Sequence, residues 1–103
     1  MAAQVKIRGK LKDGVAQVKS LMPHPMETGT QRDPAGNLIP AHYIDKVTCY
    51  RNDQEVLSAD FGASVSKDPY FAFKVKNCSP GDVIKVTWVD NKGETSSGEL
   101  VLK

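Results

Sequence analysis

The chain has 103 residues and a formal net charge of +2, with 40% hydrophobic and 25% charged residues, which fits one soluble globular domain, 1–103, with a modest core. Its 14 Lys and Arg are spread along the chain and aromatics make up only 7%, so no basic block announces a nucleic-acid partner. No apolar run approaches the roughly 18 residues of a membrane span.

The opening MAAQVKIRGKLKDG alternates basic and single apolar residues. It lacks the apolar h-region of a signal peptide, and taken alone it predicts a cytoplasmic protein. QVKIRG (4–9) then reads as a strand, with Val5 and Ile7 opposed to Lys6 and Arg8. GVAQVKSLM (14–22) puts Ala16, Val18, Ser20 and Met22 on one face; Leu21 breaks the alternation and predicts a bulge nearby. AHYIDKVTCYR (41–51) is strand-like in its second half, with Val47 and Cys49 together. QEVLSADF (54–61), YFAFKVK (70–76), DVIKVTWVD (82–90) and ETSSGELVLK (94–103) complete the set, with Phe71, Phe73 and Trp88 expected in the core.

Turn signals punctuate these runs: LKDG (11–14), RNDQ (51–54), CSPGD (78–82) and DNKG (90–93). No stretch shows helical periodicity. Seven short strands with regular turns predict an all-β fold, an immunoglobulin-like or fibronectin-like antiparallel β-sandwich. One connection departs from the short-turn pattern. Residues 23–40, PHPMETGTQRDPAGNLIP, hold four prolines and two glycines. Proline cannot donate to a ladder, so this is no central strand. A loop this long in a small domain is usually functional or disordered, and Met26, Leu38 and Ile39 argue that part of it packs down. A second irregular stretch, GASVSKDP, spans 62–69.

The chemistry available is sparse. His24 and His42 are the only histidines and Cys49 and Cys78 the only cysteines. No nucleophile–base motif and no phosphate-binding glycine loop can be assembled, so an enzyme is not expected and no cofactor is called for. Met22, His24 and Met26 at alternate positions offer two thioethers and an imidazole, a soft set suited to Cu(I); extended backbone would point them to one side. The bland alternative has both methionines filling the core and His24 capping the loop. Cys49 and Cys78 fall at the same end of an immunoglobulin-like order, which leaves two states open: a disulfide in an oxidising compartment, or two buried thiols.

LMPHPMETGTQRDPAGNLIPAHYIDKVT, residues 21–48, resembles the hallmark segment of the SoxZ family through His24, Met26 to Gly29, Arg32, Asp33 with Gly36, Ile39-Pro40 and Tyr43-Ile44. SVSKDPYFAFKVK (64–76) and GDVIKVTWVDNKGE (81–94) resemble it too, so the likeness spans the chain. The resemblance implies an immunoglobulin-like sandwich with no catalysis of its own. It implies a partner, the Y subunit of the SoxYZ sulfur carrier, which bears thiosulfate-derived intermediates on a cysteine, and transient contacts with other periplasmic Sox enzymes. This chain ends SSGELVLK without a cysteine, as expected of the subunit lacking the carrier arm. Export together with the signal-bearing Y subunit would place it in the periplasm and overturn the cytoplasmic expectation. His24, Met26, Glu27 and Arg32 are the expected contact residues, and Cys49 and Cys78 are not part of the family pattern. An unmet partner-binding edge predicts that the isolated chain forms a homodimer.

Overall fold

The computed structural model describes residues 4–62 and 65–103. The first three residues of the opening stretch, and Ala63 and Ser64 of the second irregular stretch, lie outside the described residues. Seven strands follow one another: β1 Lys6–Lys12, β2 Val15–Leu21, β3 Ile44–Arg51, β4 Gln54–Asp60, β5 Tyr70–Val75, β6 Val83–Asp90 and β7 Thr95–Val101. They divide into a three-stranded sheet, β1-β2-β5, and a four-stranded sheet, β4-β3-β6-β7. All pairings are antiparallel. This is the division of a fibronectin-like β-sandwich.

The turns close as their residues dictate. Asp13 and Gly14 (φ 53° and 76°) join β1 to β2, and Asn52 and Asp53 (φ 49° and 67°) join β3 to β4. Two successive positive φ angles make the tight turn whose twist matches the flanking strands, and Asn, Asp and Gly reach that conformation most cheaply.

Period-two alternation fills the space between the sheets. Ala16, Val18 and Ser20 from β2 meet Val47 and Cys49 from β3 and Ile84, Val86 and Trp88 from β6, each at most 1% exposed. Trp88 is the largest fully buried side chain, and its truncation to alanine is worth roughly 3–5 kcal/mol.

Two expectations need correction. Leu21 causes no bulge: the registers of β1–β2 and β2–β5 run unbroken through it, because its side chain faces outward between Lys6 and Tyr70. The irregularities fall instead between Cys49 and Tyr50 and between Ile44 and Lys46. Phe71 and Phe73 are only partly buried, since β5 is an edge strand; they form an aromatic cluster with Phe61, at ring separations of 5.8 and 5.3 Å. Of the two states open to the cysteines, the structure shows free, buried thiols. Cys78 Sγ donates to the carbonyl of Val75 at 3.4 Å. Burial pushes the Cys49 thiol up to about 12, against a smaller opposing hydrogen bond from Tyr50 backbone. A thiol held in that form is inert.

The two sides of the sandwich differ. On one, β1 approaches β7 and Val5 N donates to Ser97 O at 3.3 Å. Gly98 makes this approach possible: a Cβ there would collide with the carbonyl oxygen of Val5. On the other, β4 and β5 are edge strands, each paired on one side only, among the described residues.

Candidate functional site

Residues 22–43 cross from β2 in one sheet to β3 in the other, and they form an arm rather than a loose loop. Glu27 and His42 exchange two backbone hydrogen bonds, at 2.6 and 2.9 Å. Ile39 N donates to Gln31 O at 2.8 Å, and Arg32 bridges Leu38. Asp33 closes the tip, its Oδ1 accepting from Ala35 N at 3.0 Å and Asn37 N at 2.9 Å. This is the local turn chemistry for which aspartate is favoured. Arg32 folds back and donates to Gly36 O at 2.9 Å. The result is an irregular two-stranded hairpin with an exposed tip, where Leu38 is 54% exposed.

A buried carboxylate holds the base of this arm. Asp90 ends β6, and the alternation that buries Ile84, Val86 and Trp88 carries it inward as well; its side chain is fully buried. Oδ1 accepts from Lys92 N at 3.0 Å and Glu94 N at 2.8 Å, closing the β6–β7 turn. Oδ2 meets His24 Nε2 at 3.0 Å and His42 Nε2 at 2.6 Å. One carboxylate thus ties the outgoing strand of the arm, the returning strand and the sandwich. Burial pushes its pKa up, but the hydrogen bonds from His24, His42, Glu94 and Lys92 together outweigh that and hold it at about 2.

The hydrogen-bond roles follow from the partners. His24 Nδ1 faces the backbone N–H of Met26 at 3.1 Å, so Nδ1 accepts and Nε2 carries the proton given to Asp90. His42 Nε2 lies between Asp90 and Glu94, whose Oε2 is 3.4 Å away. Both neighbours are acceptors, so this nitrogen too carries a proton. The two imidazoles meet edge-on at 4.5 Å, and His24 stands edge-on to Trp88 at 5.0 Å. Asn91 adds a second tie, accepting from Tyr43 N at 2.9 Å and donating to Ala41 O at 3.0 Å. On the far side Asp68 accepts from His24 N at 2.9 Å and its own N–H donates to His24 O at 3.0 Å.

Donor atoms of His24, His42 and Asp90 lie within 4.8 Å of one another, which invites comparison with a metal centre. The hydrogen bonding argues against it. A metal-bound imidazole normally donates its other N–H to an acceptor, whereas His24 Nδ1 faces a donor. Ligation through Nε2 would move the proton onto Nδ1 and set two N–H groups against each other.

The alternative copper set, Met22, His24 and Met26, is also committed elsewhere. Met22 is fully buried. Met26 has a φ of 50°, which ends the extended backbone that would align the three side chains, and its Sδ accepts from Ile44 N at 3.2 Å. Nor does the carboxylate–imidazole pair resemble a catalytic relay: both nitrogens of His24 are engaged, and its side chain is only 2% exposed.

The expected contact residues divide. His24 and Met26 are buried, at 4% and 5% exposure; Glu27 is partly buried and Arg32 exposed. Sequence reasoning places Asp90, the hub of the site, and Asn91 in a turn and gives them no further part. The signal for Asp90 is nonetheless present, since an acid two positions beyond Trp88 on an inward-facing register needs buried partners.

The arm and its clamp fall inside one family description. The model for "Sulphur oxidation protein SoxZ" matches residues 5–101, nearly the whole chain. The chain belongs to the SoxZ family. Its role is therefore in sulfur oxidation. No curated protein matches the chain.

Proposed function

We propose that this SoxZ-family chain is the non-catalytic subunit of a SoxYZ-type sulfur carrier. It binds a Y-type subunit through the arm of residues 22–43 and helps present that subunit's cysteine-bound sulfur intermediates to Sox enzymes. The observation behind this reading is the family match over 5–101, which takes in a long segment folded as a hydrogen-bonded, solvent-reaching hairpin instead of a short turn. Binding residues are commonly carried on loops held by a rigid scaffold. Both ring nitrogens of His24 are committed to Asp90 and Met26 N, which suits the pair to holding the arm in shape for a partner. The chain would act in the periplasm, exported with the Y subunit. Alone, it would self-associate through the open outer edges of β4 and β5, because such edges pair readily with another chain.

Co-expression with a Y-type subunit, followed by gel filtration, tests the reading. One peak containing both chains is expected. Separate elution of the two would refute it. Co-elution that survives removal of the arm tip, residues 33–37, together with Arg32→Ala and Glu27→Ala, would keep the complex but remove the arm as its contact.

A further inference from the structure

The basic residues that look scattered in sequence are not scattered in space. β1 alternates, so Lys6, Arg8, Lys10 and Lys12 share its outer face. The β1–β2 register sets Arg8 directly opposite Lys19 and Lys10 opposite Gln17, and the β2–β5 register sets Gln17 opposite Lys74. Six of the chain's 14 Lys and Arg therefore stand on one face of the three-stranded sheet, and all six are exposed. No Asp or Glu occurs in β1, β2 or β5; the nearest acids in sequence are Asp13 in the first turn and Asp68 before β5. Among the described residues the ion pairs all involve histidine, so none of the six cations is neutralised by a partner.

The other sheet is different. Its strands mix Lys46, Arg51 and Lys85 with Asp45, Glu55, Asp60 and Glu99. The molecule is thus polarised across the sandwich. Charges about 5–7 Å apart on the basic face lie inside the screening length of about 8 Å at physiological salt, and their fields add. Like charges directly opposite across strands, such as Arg8 and Lys19, destabilise a sheet. Folding alone gives no reason to keep them there. Lys6, Arg8 and Lys19 also rim a shallow groove of about 400 Å³ with Leu21 and Tyr70 at its edge.

We propose that the β1-β2-β5 face is a second docking surface, separate from the arm, for an acidic patch on a protein partner that the chain meets transiently. Charge complementarity sets the sign of that partner. Its class follows from the flat, aromatic-poor face: a nucleic-acid reader stacks bases on aromatic rings or sends side chains into a groove, and this face offers Tyr70 alone. The transient character rests on the carrier reading proposed above. A carrier that visits several enzymes needs rapid encounters, and electrostatic steering speeds association by about 10- to 1,000-fold at low salt.

The test measures binding of a fluorescently labelled polyglutamate peptide to the full chain by anisotropy, at low salt and at about 0.15 M. A triple reversal on the face, Arg8→Glu, Lys10→Glu and Lys19→Glu, is set against a triple reversal elsewhere, Lys46→Glu, Lys85→Glu and Lys103→Glu. The expected result is salt-sensitive binding that the first triple weakens by about 10-fold or more and the second leaves nearly unchanged. A face variant with glutamine at the three positions serves if the glutamate triple unfolds. Equal losses from both triples, no binding by the parent chain, or tighter binding of a charge-matched oligonucleotide or of phosphatidylglycerol vesicles would overturn the proposal. Co-elution with the Y-type subunit separates the two readings. It should survive the face triple, and its loss there would make this face part of the subunit interface and overturn a separate docking surface.

Discussion

Replacing Asp90 by asparagine changes one atom's chemistry at nearly constant volume, and the clamp predicts its cost. Asp90 accepts four hydrogen bonds, two on each oxygen. Asparagine has one carbonyl oxygen and one NH₂ group. With its oxygen toward the turn, the NH₂ faces His24 Nε2 and His42 Nε2. His42 can move its proton to Nδ1 and accept. His24 can do so only by giving up the Met26 N–H. The opposite orientation sets the NH₂ against Lys92 and Glu94 N–H. Either way at least one buried donor loses its partner, at about 1–3 kcal/mol, and charge-assisted bonds become neutral ones. The sum is about 2–4 kcal/mol. At roughly 4–8 °C per kcal/mol for a domain of this size, the melting temperature should fall by about 8–32 °C. Urea unfolding followed by Trp88 fluorescence measures the loss, since the indole lies edge-on to His24 at 5.0 Å. Limited trypsin digestion adds a local readout, with cleavage after Arg32 accelerating as the arm loosens. A loss below about 1 kcal/mol with an unchanged cleavage rate would refute the clamp.

Acid should act on the same group. Asp90 is lowered from 3.8 to about 2, so its contribution is fully present above about pH 4 and is lost as pH falls toward 2; an acid-unfolding profile of Asp90→Asn should lose that part of the slope. Gly98→Ala drives a Cβ into the carbonyl oxygen of Val5. β1 must then move away from β7, a destabilisation of about 1–3 kcal/mol, visible as faster amide exchange at Val5. Cys49, its thiol pushed up to about 12, should resist iodoacetamide at about pH 8 in the folded chain and react in urea. Titrating the reduced protein with Cu(I) should show no tight site at Met22, His24 and Met26, because Met26 Sδ and both nitrogens of His24 already have partners; tight binding lost on His24→Ala would reopen the copper reading.

The strands were legible because burial alternates with period two, and that signal needs only neighbouring residues. YFAFKVK and VIKVTWVD announce their inward faces without knowledge of any partner strand. What the sequence conceals is pairing. Arg8, Lys19 and Lys74 share one charged face only once β1-β2-β5 is known, and β5 joins β2 across a long intervening stretch that includes the arm and the β3–β4 hairpin. A scattered set of lysines in sequence therefore says little about their distribution in space. Asp90 shows the same limit differently. Its inward register was readable, but its partners lie 66 and 48 residues away. Read locally, DNKG is a turn, and half of the carboxylate does serve that turn.

The clamp also decides how each signature residue can matter to a partner. His24 and Met26 are buried, with their polar atoms directed at Asp90, Met26 N and Ile44 N. They can influence recognition only through the shape of the arm they hold. The positive φ of Met26 contributes to that shape, because it turns the chain so that Met26 N reaches His24 Nδ1 while the thioether reaches β3. Arg32, by contrast, spends a donor on Gly36 O and keeps its guanidinium in solvent, next to a tip where Leu38 is open. Substitutions at His24 and Met26 should therefore lower stability and binding together, whereas those at Arg32 and Leu38 should lower binding in a chain that still melts like the parent. This separation follows from burial, which commits a side chain's polar atoms to internal partners before any external one arrives.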